Sequence, residues 1–338
     1  MTLRREGPVK LSAKMLPRFA ADYRTLLWVA VAPALVAVQY ARPELIPYMC
    51  WLSCYFALAC GVIAHNHNHC PTFKSKTANQ IFASWISIFY GYPTFAWIPT
   101  HNLNHHKYVN RAGDATITWR FTNKHNVLVA ATYFFVSSWF QQYPTRAFIQ
   151  KAKSQNPSLY RRIVGQYAVW GGAHVVLLAA AVALHGIGKG LYVYVLTAAL
   201  PAFFALWTIM LFNYEQHVHT DPWSKHNHSR SWDGKILNFL LFNNGLHAAH
   251  HENPGTHWSK LWDVHRELAP KIDPALIERN LWWYWFRQYA LAPLFPSLGT
   301  RQVGRAPFDP PDGKPVDVVN SADVELGEAG TNAQMVGT

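Results

Sequence analysis

The chain has 338 residues and a formal net charge of +12; half of its residues are hydrophobic and only 14% are charged. A mean hydropathy of -0.04 excludes a helical bundle that is wholly buried in lipid. This composition is typical of a polytopic membrane protein with a large water-facing part. The sequence therefore predicts an all-α integral membrane protein with a cap outside the lipid.

Positive charge is concentrated in residues 64–163, which contain eleven Lys or Arg residues and one acidic residue, Asp114. We expect such a segment to face anionic partners, which include the cytoplasmic leaflet, an acidic carrier protein and the phosphates of a coenzyme thioester. Nucleic acid is not an expected partner, because apolar stretches interrupt the basic residues and no recognition motif is present.

The membrane-spanning segments are predicted from length and hydropathy. Residues 1–25 are basic and precede the first apolar stretch, which places the N-terminus in the cytoplasm. Four stretches approach the about 20 apolar residues that cross a bilayer. Short links join the first to the second and the third to the fourth, so we expect two helical hairpins that open to the cytoplasm. The predicted spans are residues 26–40, 45–64, 165–184 and 191–212.

Three other apolar stretches are too short or too broken to span. Residues 81–98 and 127–140 are predicted to form interfacial or re-entrant helices, and residues 236–246 a short buried helix. From residue 296 the sequence is rich in Gly, Pro, Asp, Val and Asn without periodicity, which predicts a poorly ordered tail. The membrane domain is therefore assigned to residues 26–295 and the tail to residues 296–338.

Three histidine motifs lie beside these apolar segments. Residues four apart on a helix share a face, so His65 with His69, and His101 with His105, are each predicted to offer two imidazoles to one metal. His106 and His251 then turn to a neighbouring ligand position. In the predicted topology all three motifs lie on the cytoplasmic side. The full set is His65, His69, His101, His105, His106, His247, His250 and His251.

The number of histidines indicates two metal ions, because a zinc site takes only three or four protein ligands. A ninth candidate is His217, in the segment Asn-Tyr-Glu-Gln-His at the end of the fourth span. Asn213 lies one helical turn before His217 and is predicted to reach the same metal directly or through water. Imidazole suits both iron and zinc, so ligand type alone does not identify the metal.

Several assignments stay open at this stage. His67 and His219 each lie two residues from a predicted ligand and are alternatives to it. Asp114 and Glu252 are candidates to orient the imidazoles by accepting their second N–H, or else to pair with the basic loops. His125, His257 and His265 are expected on the surface or in loops.

With these motifs the chain resembles the membrane fatty acid desaturase and hydroxylase superfamily. That family has an HxxxH motif after a transmembrane hairpin, an HxxxHH motif, a second hairpin, an NxxxH element and a final HxxHH motif. The resemblance covers roughly residues 26–262, and the segment 251–255 is similar to the bacterial acyl desaturase branch. It implies a bacterial cytoplasmic membrane protein with two iron ions, which uses O2 to oxidise an unactivated carbon.

The resemblance favours a desaturase that introduces a double bond into an acyl chain carried by a lipid, coenzyme A or acyl carrier protein. A hydroxylase is the alternative, since residues 213–217 also resemble an element of membrane alkane hydroxylases, and a metal transporter is a remote one. No bound flavin, haem or nicotinamide is expected, because no Cys-rich cluster or dinucleotide motif is present. Electrons are expected from a ferredoxin, rubredoxin or cytochrome b5 with its reductase.

Overall fold

The computed structural model describes residues 16–314, 316 and 318, and their regular structure is almost entirely helical. The sheet content of this part is one parallel pair of two-residue strands, β1 (Ser231–Trp232) and β2 (Ile277–Glu278). These observations confirm the predicted helical class. Residues 1–15 of the basic segment and residues 319–338 of the tail lie outside the described residues.

The α-helices of the described residues are, in chain order, α1 (Asp22–Ala41), α2 (Ile46–His69), α3 (Lys76–Tyr90), α4 (His106–Tyr108), α5 (Val127–Gln155), α6 (Pro157–His185), α7 (Ile187–Tyr194), α8 (Leu200–His217), α9 (Lys235–Leu240), α10 (His247–Glu252), α11 (Leu261–Leu268) and α12 (Leu281–Trp285). π-Helical segments cover Ile98–His105, Val195–Ala199 and Phe286–Leu291. Short 3-10 turns cover Pro43–Leu45, Thr94–Ala96, Trp258–Lys260, Ala269–Lys271, Pro274–Leu276 and Pro296–Leu298.

Four helical stretches of the described chain are long and apolar enough to cross a membrane, and they contain the four predicted spans. They are Asp22–Ala41, Pro43–His69, Pro157–His185 and Ile187–His217. In the most apolar 18-residue part of each stretch, 56% of the residues are buried within the protein in the second and only 6% in the third. The stretch that contains α2 therefore lies at the centre and packs most extensively on α8. Both α2 and α8 end in histidines.

The segment 81–98 is not one helix. α3 ends at Tyr90, and Gly91 adopts a left-handed conformation with φ of 95°. A Cβ atom at Gly91 would lie 2.6 Å from the Cβ atom of Ala202, so both the backbone angle and the packing favour glycine here. The chain then turns and continues as the π-helix Ile98–His105, which carries the second histidine motif.

Two other segments differ in length from the prediction. The helix predicted over 127–140 extends to Gln155 as α5 and covers 29 residues, with Pro144 inside it. The helix predicted over 236–246 ends at Leu240, because Phe242 and Asn243 have positive φ values of 49° and 61°. The predicted burial holds for the second half of this segment, where Leu241, Phe242 and Leu246 are buried, but on α9 Ile236 is 77% exposed.

The start of α1 is fixed to the cap by a buried carboxylate. Asp22 is 2% exposed and accepts hydrogen bonds from Thr25 Oγ1 at 3.0 Å, Trp258 Nε1 at 3.0 Å and His257 Nε2 at 3.1 Å. His125, His257 and His265 were expected at the surface or in loops; His125 and His257 do lie in loops, but all three side chains are buried. The ring of His257 also stacks on Phe19.

Replacing Asp22→Ala should lower the unfolding free energy by about 1–3 kcal/mol, because two buried ring N–H groups lose their acceptor. Thermal unfolding in detergent would report the change. The matched control is Glu44→Ala, since Glu44 is exposed and its carboxylate pairs with the exposed Arg42. Equal melting temperatures for the two variants would contradict this role of Asp22.

Candidate metal centre

Five imidazoles converge at one position, which we name site A. The Nε2 atom of His65 lies 2.9 Å from that of His101 and 3.2 Å from that of His250. The Nε2 atom of His106 lies 3.1 Å from that of His101 and 3.0 Å from that of His250. The fifth member, His69, packs edge-on against His65, and its buried Nε2 atom has no hydrogen-bond partner among the described residues.

Four further imidazoles form site B. His217 Nε2 lies 3.1 Å from His105 Nε2 and 2.9 Å from His247 Nε2, and His251 Nε2 lies 3.1 Å from His247 Nε2. The ligand atoms of these four residues lie within 4.8 Å of one another. Sites A and B are adjacent, since the rings of His106 and His251 have centroids 4.4 Å apart. The fold thus brings together all nine histidines that were predicted as ligands.

The prediction that His101 and His105 share one metal is wrong, since His101 belongs to site A and His105 to site B. The reason is the π-helix, whose hydrogen bonds run from residue i to residue i+5. Residues five apart therefore lie above one another, which aligns His101 with His106 and turns His105 away. On α10 the α-helical rule holds, because His247 and His251 share site B while His250 points to site A.

These distances fit metal coordination better than hydrogen bonding. A metal ion about 2.1 Å from each nitrogen sets neighbouring ligand nitrogens about 3.0 Å apart in octahedral geometry and about 3.4 Å apart in tetrahedral geometry. A proton can bridge only one pair of ring nitrogens, so it leaves the other lone pairs facing one another. The donor set and its spacing therefore suit two cations with a preference for imidazole.

The protonation state also suits metal binding. Burial and the neighbouring imidazoles lower the pKa values of His101, His106 and His250 in site A well below the usual value for histidine. The same causes lower the pKa values of His247 and His251 in site B. These side chains are therefore neutral at physiological pH, which is the form that ligates metals.

A buried carboxylate orients His105. Asp114 Oδ2 accepts a hydrogen bond from His105 Nδ1 at 2.8 Å, so His105 Nε2 is directed into site B. Burial alone would raise the pKa of Asp114, but His105 and the hydrogen bonds from Thr116 and the Asn110 backbone lower it to about 2. Asp114 is therefore an anion that fixes the ring and tautomer of a candidate ligand.

Sequence reasoning missed the residues that connect this carboxylate to α8. Asn110 has a positive φ of 61°, and its side-chain amide donates to the carbonyl of His217 at 2.9 Å. Its backbone N–H donates to Asp114 at 2.8 Å. The ring of His217 is itself oriented by Nδ1, which donates to the carbonyl of His228 at 3.1 Å. Asn often adopts a left-handed backbone, so Asn110 could have been predicted to lie in a turn. A backbone carbonyl that accepts a hydrogen bond has no such signature in the sequence.

The two alternative histidine ligands lie away from both sites. His67 Nδ1 contacts Thr72 Oγ1 at 3.0 Å, on the opposite face of α2 from His65. His219 uses both ring nitrogens, with Nε2 on the carbonyl of Asn123 at 2.8 Å and Nδ1 on Thr300 Oγ1 at 3.0 Å.

The remaining two candidates have different surroundings. Glu252 is exposed and has no hydrogen bond to an imidazole among the described residues. Asn213 lies one helical turn before His217 on α8, and its amide donates to the hydroxyl of Tyr133 at 2.9 Å.

An elongated cavity of about 530 Å³ lies against both sites, with His65 and His101 of site A and His247 of site B in its wall. Asn213 also lines it. Phe134 and Ile149 of α5 both border the cavity, and they lie about 22 Å apart along a helix with a rise of 1.5 Å per residue. Its other apolar and aromatic walls include Val62, Trp97, Leu206, Ile209, Met210 and Phe212, and its polar residues include Ser138, Gln141, Gln142, Thr145 and Arg146.

Comparison with known proteins places the chain in a family. No curated protein and no solved structure matches it. The sequence profile of the family described as Fatty acid desaturase matches residues 43–287, which include every histidine of sites A and B. The match extends over most of the chain, from the start of the second span into the π-helix after α12. The protein therefore belongs to the fatty acid desaturase family of membrane oxidoreductases.

Proposed function

We propose that the protein is an O2-dependent di-iron oxidase that introduces a double bond into an acyl chain. The observation that carries this proposal is the meeting of two imidazole sites with one elongated, largely apolar cavity. Sites A and B would each hold one iron ion, through five and four histidines respectively. When bound, the two iron ions supply the O2 activation and C–H oxidation that no amino acid side chain provides.

The chain itself supplies position and exclusion of water. The apolar wall formed by Val62, Leu206 and Phe212 would hold methylene groups beside His65 and His247, which lie on the same cavity. Asp114 and the His228 carbonyl hold His105 and His217 so that their Nε2 atoms face site B. A dry and rigid site of this kind favours selective oxidation of one position over side reactions with water.

We propose that the four spans cross the bacterial cytoplasmic membrane as two hairpins, with the N-terminus and sites A and B on the cytoplasmic side. The basic composition of residues 64–163 supports this orientation. The same basic composition supports the docking of an acidic external electron donor of the ferredoxin, rubredoxin or cytochrome b5 type. The exposed Lys107 directly follows the half-buried His106 of site A, so a donor that docks there would approach the metals closely.

Iron analysis of the purified protein should give about two iron ions per chain. His250→Ala removes a ligand of site A, and His251→Ala removes one of site B. Each variant should therefore bind about one iron ion fewer per chain and form no oxidised product. The matched control is His67→Asn, which keeps an acceptor for Thr72 on the same helix as His65. Full iron content in both alanine variants would refute the ligand assignment.

Asp114→Asn should weaken iron retention and turnover by about 10- to 100-fold, because the neutral amide accepts more weakly from His105 Nδ1 and no longer offsets the charge of the bound metal. Iron loss under a chelator, followed over time, measures the first effect. Glu252→Gln is the control, since Glu252 is an exposed carboxylate one residue from His251. The proposal for Asp114 fails if the two variants lose iron at the same rate.

Mass spectrometry of lipids and free acyl products from a host grown under labelled O2 tests the reaction. Products two hydrogens lighter and without label establish desaturation, whereas one labelled oxygen in the product establishes hydroxylation. The same host with the His250→Ala variant provides the background. Absence of both products, with full iron content, would overturn the proposed activity.

A further inference from the structure

Large apolar side chains are exposed after the last span. The segment 281–298, which contains α12 and the following π-helix, exposes Trp282 by 69%, Leu294 by 73% and Phe295 by 57%. On α9, Ile236 is 77% and Phe239 53% exposed. Several large exposed apolar side chains within one short segment are costly in water and mark an interaction surface.

The contacts of α9 place it beside the spans. Phe239 packs edge-on against Trp28 of α1, with ring centroids 6.0 Å apart. The hydroxyl of Tyr55 in α2 donates to the carbonyl of Leu240 at 3.2 Å. Tyr55 precedes His65 by ten residues, which is about 15 Å along the helix axis. α9 therefore reaches well below site A along the membrane-spanning helices.

The segment 281–298 also lies against a span. Trp285 packs on Phe212 of α8, with ring centroids 6.1 Å apart. Phe212 precedes His217 by five residues, which is about 7.5 Å along α8. The exposed side chains of this segment thus lie beside the C-terminal end of α8, between site B and the middle of this span.

The composition of the segment 281–298 matches a membrane interface. It contains three Trp residues and no acidic residue, and its one basic residue is Arg287. Tryptophan and tyrosine concentrate where lipid headgroups meet hydrocarbon, because their rings are apolar and their N–H or O–H groups are polar. Short helices with one apolar face bind lipid in the same plane.

We propose that α9 and the segment 281–298 insert their exposed apolar side chains into the lipid leaflet at the ends of the spans that carry sites A and B. Lipid is the occupant because both segments continue the surface of helices that are themselves long enough to span a bilayer. The part of the protein outside the four spans would therefore insert into the leaflet at two places, α9 and the segment 281–298.

The segment 281–298 is connected to site B through buried contacts. The inner face of the segment 281–298 carries Tyr284 and Tyr289, and both hydroxyls donate to the carboxylate of Glu215, Tyr284 at 2.8 Å. His125 Nε2 lies 3.1 Å from the same carboxylate. Glu215 is fully buried and precedes His217 by two residues on α8. A segment whose outer face is held by lipid thus fixes the end of the helix that bears a site B histidine.

Spin labels at single cysteines in lipid vesicles test the proposal. All four native cysteines are free and are first replaced by serine. Labels are then placed at Trp282 and at Ile236, with Lys271 as the exposed polar control on the cap. Each labelled protein is reconstituted in phosphatidylcholine and phosphatidylglycerol vesicles, after its helical content and monodispersity are checked.

Collisional relaxation by O2, which concentrates in lipid, is compared with relaxation by a water-soluble nickel chelate. We expect the O2-to-nickel ratio at positions 282 and 236 to exceed that at 271 by several-fold. High nickel accessibility at both positions would overturn the proposal, because the faces would then be in water. Low accessibility to both reagents would overturn it as well, since protein would then cover the faces.

Discussion

The structure depends on one constraint, which is that nine imidazoles, six buried and three half-buried, direct their Nε2 atoms at two points. Neutral ring nitrogens about 3 Å apart repel through their lone pairs unless a shared proton or cation lies between them. Site A alone contains five such close pairs among four rings, with separations of 2.9–3.4 Å. Burial of so many polar atoms is costly without partners. Cations at the two points would change this cost into a stabilising interaction that joins α2, the π-helix, α8 and α10.

The helices supply this arrangement with different geometries. α2 and α8 present their histidines at their C-terminal ends, so the spans themselves set the positions of His65 and His217. The π-helix divides the second motif between the sites, and α10 divides the third. Each site therefore receives side chains from one span and from connecting segments. Asp114 and Asn110 fix the segment after the π-helix, and the His228 carbonyl orients His217 on α8.

Sequence patterns predicted much of this and failed in identifiable places. Hydropathy located the four apolar spans, and the spacing of the motifs identified nine histidines that the fold brings together. The assignment of His105 to the same metal as His101 failed because it assumed α-helical phase, and nothing in the local sequence distinguishes a π-helix from an α-helix. The burial of His125 and His257 in their loops was not predicted, because their partners, Glu215 and Asp22, are distant in sequence.

The exposure of Ile236 and Phe239 on α9 was not predicted, although the rest of the run 236–246 is largely buried as expected. An apolar run of this length fits a buried core helix as well as a helix that rests on lipid, and periodicity does not separate the two. The same ambiguity concerns the segment 281–298, of which Tyr284 is buried while Trp282 is exposed. Only the contacts with Phe212 and Glu215 reveal which face is internal.

The donor set has an electrostatic consequence for the proposed centre. Nine neutral imidazoles leave the charge of two divalent cations uncompensated by any direct ligand, and such charge is expensive in a medium of low polarity. Asp114 is ionised and buried, and it contacts His105 rather than lying among the converging nitrogens. It would therefore lower the cost of the charge through the imidazole of His105, without being a ligand itself. The buried Asp114 is thus the part of the chain that would offset some of the positive charge of a centre held by neutral ligands.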